Sequence, residues 1–148
     1  MTPTEIFVAY ATEFEKTYED DDWARLERFF APQATYEVRG AVPFACRLEG
    51  REAILRGIRK SVDGFDRRFD SREVEIVEPP REEGDTVTVG WKGTYRKQGL
   101  APLVLRGRSR ARCQGDRIVE LSDSYDDDVA AAAAEWSKRY PGFDPSYV

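Results

Sequence analysis

The segment 117-RIVELSDSYDDD-128 contains carboxylate and phenol side chains that can donate or accept protons, and Asp123 is the first of its aspartates. The segment alternates apolar and polar residues like a β-strand, which places Val119, Leu121, Asp123 and Tyr125 on one face. A carboxylate desolvated among apolar side chains has a raised pKa and can act as a general acid or base. The alternative is that Asp123 caps the following helix or pairs with an arginine or tyrosine near the end of the sheet. The sequence leaves both interpretations open.

The chain contains no histidine. This excludes Ser-His-Asp and Cys-His catalysis, and it excludes most zinc sites. Acid–base chemistry must therefore come from carboxylates, tyrosines, lysines or water. The acidic runs Glu19–Asp22 and Asp126–Asp128 each begin a predicted helix, where negative charge favours the helix dipole. We therefore expect no bound metal ion and no cofactor.

Composition and net charge restrict the classes of molecule that this protein is expected to bind. The net charge of −5 disfavours attraction to nucleic acids and anionic membranes. No apolar run reaches the ~18 residues of a membrane helix, and the N-terminus lacks the features of a secretory signal. Cys46 and Cys113 lack CxxC spacing and are typical of small buried side chains in a reducing cytoplasm, a disulfide between them being the less favoured alternative. We expect a cytoplasmic protein with neither nucleic acid nor membrane as partner.

The predicted elements are three helices, a sheet and a further helix within a single domain, residues 1–148. Apolar residues spaced three and four apart predict helices at 3–19, in 20–34 ending at Pro32, at 50–62 and at about 126–140. Alternating residues predict strands at 34–40, 71–79, 85–97, 103–113 and 117–125. A loop with Pro43 follows the first strand, and residues 141–148 are predicted to be an irregular tail.

Small residues on one face of the predicted sheet indicate a cavity. Gly93, Gly107, Ser109 and Ala111 share that face, and small side chains on a concave surface leave volume unfilled. Arginines occupy the opposite face of strand 103–113, at positions 106, 108, 110 and 112. Glu73, Glu75, Glu78 and Glu120 lie on strands of the same sheet, so cross-strand ion pairs are sufficient to explain the arginines without a phosphate ligand.

A hydrophobic small molecule is the ligand that fits such a cavity. We predict Asp123 and Tyr36 as catalytic residues, with Tyr36 or Tyr10 donating a hydrogen bond to a developing oxyanion. The predicted pocket residues are Tyr10, Phe14, Trp23, Phe44, Ile58, Trp91, Gly107, Ser109, Leu121 and Tyr125. For most of the aromatic residues, ordinary core packing is the alternative explanation.

Three segments, W23-ARLERFFAPQATYEV-38, E49-GREAILRGI-58 and GRSRARCQGDRIVELSDSYD, resemble the nuclear transport factor 2-like superfamily, in particular its SnoaL-like and ketosteroid-isomerase-like branches. The resemblance covers the chain up to residue 128. It implies an α+β fold in which a curved antiparallel sheet packs on three N-terminal helices to form a cone with a pocket. It also implies a homodimer, which we expect to form through the outer, arginine-bearing face of the sheet.

The functional residues of these families are mostly absent. The tyrosine and two acids of the isomerases match Phe14, Val38 and a region from Gly107 to Ser109. The arginine and first aspartate of the limonene epoxide hydrolases match Gly90 and Lys92, and the histidines of the scytalone dehydratases have no equivalent. The last-strand aspartate of the hydrolases and of the SnoaL-like polyketide cyclases matches Asp123, without the histidine that assists it in the cyclases.

Two functions remain compatible with the sequence. The first is a cofactor-free lyase, isomerase or cyclase acting on an apolar cyclic or polyketide-like molecule through carboxylate acid–base chemistry. The second is a non-catalytic module that binds a small molecule or another protein. An enzyme should keep its fold and lose turnover in Asp123→Asn, whereas a binding module should be sensitive to added bulk at Gly107 or Ser109.

Overall fold

The computed structural model describes residues 1–40 and 44–148, so Pro43 of the predicted loop lies outside the described residues. The helices are α1 (Pro3–Asp20), a 3-10 helix (Trp23–Phe29), α2 (Arg51–Gly64), a 3-10 turn (Asp66–Arg68) and α3 (Asp127–Arg139). The strands are β1 (Phe30–Arg39), β2 (Cys46–Glu49), β3 (Ser71–Glu83), β4 (Thr86–Arg96), β5 (Leu103–Gln114) and β6 (Arg117–Tyr125). The predicted α+β class is confirmed.

The six strands form one sheet in the order β2-β1-β6-β5-β4-β3. Neighbouring strands are antiparallel except β1 and β6, which run parallel and differ in this respect from the expected antiparallel sheet. The parallel pair aligns Tyr36 with Leu121 and Val38 with Asp123. This pairing brings the first strand next to the last one, and so places Asp123 in the middle of the sheet.

The second predicted helix is shorter than expected. Only Trp23–Phe29 is helical, with 3-10 geometry, and β1 begins at Phe30 rather than near residue 34. The register between β1 and β6 shifts between Phe30 and Thr35. Pro32 lies in this shift, which is where a residue without a backbone N–H can enter a strand.

The edge strands also differ from the prediction. β2 occupies part of the expected loop, and β3 continues through Pro79 and Pro80 to Glu83. Proline is tolerated there because β3 is an edge strand, with one side unpaired. The register of β3 shifts on both sides of Glu78.

A register shift between Arg112 and Cys113 changes the faces of β6. Ile118 is fully buried while Val119 is only partly buried, so Ile118 rather than Val119 shares the inner face with Leu121. The added residue of a bulge reverses the alternation on one side of it. Asp123 lies beyond the bulge, and the predicted grouping of Leu121 with Asp123 at the cavity is observed.

The core lies between the concave face of the sheet and helices α1 and α2. Burying each large apolar side chain contributes about 1.5–3 kcal/mol. The most deeply buried of these are Ile6, Leu26, Phe30, Ile54, Phe65, Leu105 and Ile118. Cys113 is buried and Cys46 partly buried, and both are free thiols. No helix in the described part of the chain has the length and apolarity needed to span a lipid bilayer.

Candidate functional site

A cavity of about 220 Å³ lies between the concave face of the sheet and the helices. Most of the predicted pocket residues line it, namely Tyr10, Phe14, Phe44, Ile58, Trp91, Ser109, Leu121 and Tyr125, together with Tyr36 and Asp123. Residues from α1, α2 and five of the six strands, all but β2, meet in the lining of this cavity. The cavity contains more polar side chains than the sequence analysis assigned to it.

Trp23 and Gly107 lie outside the cavity lining, in contrast to the prediction. The Trp23 ring packs on Phe14 with ring centroids 6.2 Å apart, and its Nε1–H donates to Asp21 Oδ1 at 2.6 Å. The space beside Gly107 is already filled, because a Cβ there would overlap the carbonyl oxygen of Ser124 and lie 3.1 Å from the Trp91 ring. Gly107 thus permits close backbone packing and does not create open volume.

Asp123 is held by two hydroxyl groups. The Tyr36 O–H donates to Asp123 Oδ2 at 2.5 Å, and the Ser109 O–H donates to Oδ1 at 2.6 Å. Trp91 in turn donates its Nε1–H to Ser109 Oγ at 2.9 Å. The sheet sets this geometry, since Ser109 is the cross-strand partner of Asp123 on β5. The four side chains form one hydrogen-bonded network along the cavity wall.

The Asp123 carboxylate has no ion-pair partner in the described part of the chain. Within residues 1–40 and 44–148, no lysine or arginine lies within ion-pair distance of Asp123. Burial raises the pKa of Asp123, and the hydrogen bonds from Ser109 and Tyr36 oppose this only in part. The negative charge of Asp123 raises the pKa of several neighbouring phenol and thiol groups, and each of these groups is neutral in its protonated form. They are Tyr10, Tyr36, Tyr125, Tyr147 and Cys46. A carboxylate in such surroundings is suited to exchange protons with a ligand.

Each interpretation of Asp123 is observed in part. The side chain does not cap α3, since Asp126 occupies the N-cap position. It does pair with a tyrosine, as the structural alternative expected, and it also borders an open cavity. Because Tyr36 is engaged with Asp123, it is less free to donate to a ligand than the prediction assumed.

Three further tyrosines, Tyr10, Tyr95 and Tyr125, line the cavity. Arg72 lies within hydrogen-bonding reach of the Tyr95 hydroxyl, whereas the hydroxyls of Tyr10 and Tyr125 make no hydrogen bond to a described residue. Among the described residues, Trp136 Nε1 is the one buried side-chain polar atom found without a hydrogen-bond partner. The Tyr10 and Tyr125 hydroxyls also lack a partner but do not belong to this buried class, so each keeps some solvent-accessible surface. They are available as donors to oxygen atoms of a bound molecule.

A second polar cluster, missed by the sequence analysis, lines the cavity near β3. Arg72 donates from Nε to Asp66 Oδ2 at 2.9 Å and from Nη1 to Glu15 Oε2 at 2.9 Å. Its guanidinium also lies 5.0 Å from the centroid of the Tyr18 ring. Burial raises the pKa of Asp66, and the charge of Arg72 opposes this rise. No periodic pattern indicated these residues, because Asp66 sits in a short 3-10 turn.

A groove adjoins the cavity between α1 and β3. It has a volume of about 470 Å³ and shares with the cavity residues that include Phe7, Ala11 and Val74. Val74 and Ile76 of β3 are 45% and 59% exposed there. The groove therefore opens to solvent beside the cavity, with mostly apolar walls and with Glu15 and Arg72 among the shared residues.

Tyr147, in the tail after α3, also lines the cavity, although the sequence analysis assigned no role to the tail. A signal was present in α2, where Gly57, Ser61 and Gly64 fall on one helical face. Small residues at three- and four-residue spacing allow another segment to approach a helix closely.

The outer face of the sheet carries the predicted ion pairs in part. Arg106 pairs with Asp128 at 2.6 Å, Arg108 with Glu78 at 2.9 Å and Arg112 with Glu120 at 3.0 Å. Exposed pairs of this kind contribute little stability, about 0–1 kcal/mol each. Two of these pairs lie within the sheet, at Arg108 and Arg112, and the third joins Arg106 of β5 to Asp128 of α3.

The acidic run before the first 3-10 helix is also paired with arginines. Asp20 lies 2.6 Å from Arg25, and Asp21 lies 3.1 Å from Arg67. Among residues 1–40 and 44–148, no group of three or more potential metal-ligating side chains is found.

The fold and the pocket define a cone-shaped α+β protein of the nuclear transport factor 2-like type. An NTF2-like protein from Burkholderia thailandensis superimposes with a TM-score of 0.69 at 18% identity, over 90% of this chain and 98% of that one. TerC, co-crystallised with polyporic acid, gives 0.65 at 14% identity over 90% and 98%. A putative SnoaL-like polyketide cyclase from Shewanella putrefaciens gives 0.61 at 11% identity over 86% and 84%.

The family is shown by the sequence itself. The family model described as a SnoaL-like domain matches residues 11–121. The chain belongs to the SnoaL-like domain family, and the predicted superfamily is confirmed. No curated protein matches the chain significantly.

Proposed function

We propose that this protein binds an apolar, cyclic, oxygen-bearing small molecule in the cone and transfers protons on it through Asp123, without a bound cofactor. The observation that carries this proposal is the position of Asp123, which borders the cavity and, among the described residues, accepts hydrogen bonds only from the neutral hydroxyls of Tyr36 and Ser109. A carboxylate with a raised pKa lies closer to the range useful for acid–base catalysis at neutral pH.

The lining supports the proposed ligand class. Rings of Phe14, Phe44 and Trp91 offer flat apolar contacts, while the hydroxyls of Tyr10 and Tyr125 offer hydrogen bonds. Pockets that combine apolar walls with a few polar groups bind and orient small organic molecules. The structural likeness to a protein co-crystallised with polyporic acid and to a putative polyketide cyclase agrees with this class.

The proposed reaction begins with proton removal from a carbon next to a carbonyl group. Asp123 takes the proton, and the electron pair of the C–H bond passes to the carbonyl, which becomes an enolate. Tyr10 donates a hydrogen bond to the enolate oxygen, since its hydroxyl is free within the described residues. Asp123 then returns the proton at another position. Alternatively, the enolate carbon attacks a second carbonyl carbon of the same molecule, the C=O π electrons pass to its oxygen, and that oxygen takes the proton from Asp123. Tyr36 and Ser109 keep the carboxylate oriented through both steps.

The test is proton exchange on a model ketone, 2-tetralone, in D₂O. We expect the protein to accelerate hydrogen–deuterium exchange next to the carbonyl, measured by NMR, and Asp123→Asn to abolish the acceleration. Asp116→Asn is the matched control, because Asp116 is exposed and contacts only the N-terminal amine among the described groups. Equal exchange with Asp123→Asn and the unaltered protein contradicts the proposal. Binding of 2-tetralone without accelerated exchange favours a non-catalytic binding module.

We also propose that a second copy of the chain packs on the outer sheet face. The ion pairs at Arg106, Arg108 and Arg112 support this, because a neutralised polar surface can form a hydrated interface. Sedimentation equilibrium tests it: the mass should be twice that of the chain, and Arg108→Glu should weaken the dimer. A monomer at all concentrations contradicts this part of the proposal.

A further inference from the structure

The C-terminal tail, residues 141–148, is attached along one face of α2. The Asp144 N–H donates to the Gly64 carbonyl at 2.9 Å, and the Ser61 O–H donates to the Pro145 carbonyl at 2.7 Å. The Ser61 bond is buried. On the exposed side, Lys60 Nζ donates to Ser146 Oγ at 2.6 Å. The first two of these bonds involve the tail backbone, and the third involves the Ser146 side chain. Together they fix the position of the tail on α2.

Glycines of α2 create the room that the tail occupies. A Cβ at Gly64 would overlap the carbonyl oxygen of Asp144, and a Cβ at Gly57 would lie 3.0 Å from the carbonyl oxygen of Tyr147. Neither glycine has a positive φ, so backbone conformation does not explain them. Close approach of the tail explains Gly64, whereas the nearest contact at Gly57 is the Leu48 side chain and the tail is second.

The attached tail directs Tyr147 into the cavity. The Tyr147 ring packs edge-on against Tyr36, with ring centroids 5.7 Å apart, and lines the same cavity as Asp123. Tyr36 is the residue whose hydroxyl donates to Asp123. A continuous series of contacts therefore runs from the glycine face of α2, through the tail and Tyr147, to the Asp123 carboxylate.

We propose that Tyr147 is a positioning residue of this site, whose ring seals the α2 side of the cavity and keeps Tyr36 directed at a water-shielded Asp123. The inference rests on the proposed function, because it takes Asp123 as the reactive group. The tail and the α1–β3 groove then have separate roles. The groove admits the ligand, and the tail closes the opposite side and excludes water.

The experiment compares two full-length glycine variants. Gly64→Ala should displace the tail, since its Cβ overlaps Asp144, whereas Gly142→Ala is the matched control in the tail itself, with no atom within 4 Å of the added Cβ. Amide hydrogen exchange at Asp144 reports release of the tail, and the carbon-13 signal of the Asp123 carboxyl group reports its titration midpoint.

In Gly64→Ala we expect Asp144 to exchange at least about tenfold faster, as a protected amide does when its hydrogen bond opens. We also expect the Asp123 midpoint to move down, because burial is the main cause of its raised pKa and release of the tail admits water. Gly142→Ala should match the unaltered protein in both measurements. Unchanged exchange at Asp144 in Gly64→Ala overturns the inferred docking of the tail.

The second pair of variants changes Tyr147 itself and leaves α2 unaltered. Tyr147→Phe keeps the ring and should keep the Asp123 midpoint, whereas Tyr147→Ala should lower it as Gly64→Ala does. An equal shift in both Tyr147 variants, or no shift in Tyr147→Ala, overturns the sealing role.

The outcomes separate this inference from the proposed function. If the Asp123 midpoint is raised in the unaltered protein and stays raised when the tail is released, the inference fails and the proposed function stands. If Asp123 titrates in the ordinary aspartate range in the unaltered protein, the proposed function fails, and the inference fails with it because no shielding exists.

Discussion

Asp66 and Asp123 line the same cavity, and burial raises the pKa of both carboxyl groups, yet their partners differ in kind. Asp66 forms an ion pair with Arg72 at 2.9 Å, while Asp123 accepts hydrogen bonds from two neutral hydroxyls. A nearby cation stabilises the ionised form of a carboxyl group and opposes its protonation. We infer that burial alone does not make a carboxylate reactive. The lack of an ion-pair partner among the described residues is what suits Asp123, and not Asp66, to the proposed proton transfer.

The largest effect should come from removing the cation at the first site. Arg72→Met keeps much of the side-chain volume but leaves Asp66 buried without its partner, and a broken buried pair typically costs about 3–5 kcal/mol. We expect the free energy of unfolding to fall by that amount at pH 7, measured by urea denaturation. Arg72→Met combined with Asp66→Asn removes both charges and should recover most of the loss. A loss below about 1 kcal/mol in the single variant contradicts a structural role for the pair.

An intermediate effect is expected from Ser109→Ala, which removes one donor from Asp123 and leaves Trp91 Nε1–H without its acceptor. We expect a loss of about 1–3 kcal/mol at neutral pH. Hydrogen bonds to the ionised carboxylate lower its pKa, so their removal raises the folded-state pKa further. The loss should therefore be smaller in acid, where Asp123 is protonated in both folded and unfolded chains.

The control for this variant is Ser122→Ala, one residue before Asp123 on β6. Its cross-strand partner is Arg110 of β5, on the opposite face from Asp123. Thermal unfolding at pH 7 and at about pH 2.5, below the unfolded aspartate pKa of about 3.9, should show little change in Ser122→Ala at either pH. Equal losses in the two serine variants would mean that the Ser109 hydrogen bonds contribute nothing specific.

The smallest expected change in the free energy of unfolding comes from Asp123→Asn, and it is a gain in stability where the other variants lose stability. Because the folded pKa of Asp123 is above the unfolded value of about 3.9, the folded protein binds more protons between these two pKa values, and its stability falls as pH rises through them. Asp123→Asn removes this penalty, which is absent below the unfolded pKa and complete above the folded pKa. We expect the variant to gain on the order of 1 kcal/mol at pH 7 relative to the unaltered protein, with no gain at low pH.

The same substitution at the other site sharpens the contrast. Asp66→Asn should destabilise the protein at pH 7, because it removes the partner of a buried guanidinium. Urea denaturation of both variants across pH 3–8 gives the two signs directly. If both aspartates respond alike, the distinction between a compensated and an uncompensated carboxylate is wrong.

The sequence was sufficient for the parts of the site that lie on long strands. The alternation in β5 and β6 placed Ser109 and Asp123 on the cavity face of the sheet. Regular counting from the Gln114–Arg117 pair at the turn would align Ser109 with Ser122, and the bulge shifts its partner to Asp123. The bulge near Cys113 was not visible in the pattern, which is why Val119 was assigned to the inner face in place of Ile118. Local irregularity of this kind depends on packing that one sequence does not display.

The rest of the site depends on contacts between distant segments. Trp23, Leu26 and Phe29 have a spacing that suits an α-helix or a 3-10 helix equally, and the early start of β1 decided between them. Arg72 meets Glu15, 57 residues earlier in the chain, and Tyr147 meets Tyr36 through a tail without periodicity. Neither contact leaves a local signal in the sequence, apart from the small residues of α2 that accept the tail.

The most direct test of the account is a carbon-13 NMR titration of the Asp123 carboxyl group in the unaltered protein. We predict a midpoint above the ordinary aspartate value of about 3.9, because the fold withdraws the carboxylate from water and, among the described residues, places no cation within ion-pair distance of it. A midpoint at or below that value would show that the carboxylate is well solvated or charge-compensated, and would contradict the assignment of Asp123 as the proton-transfer group.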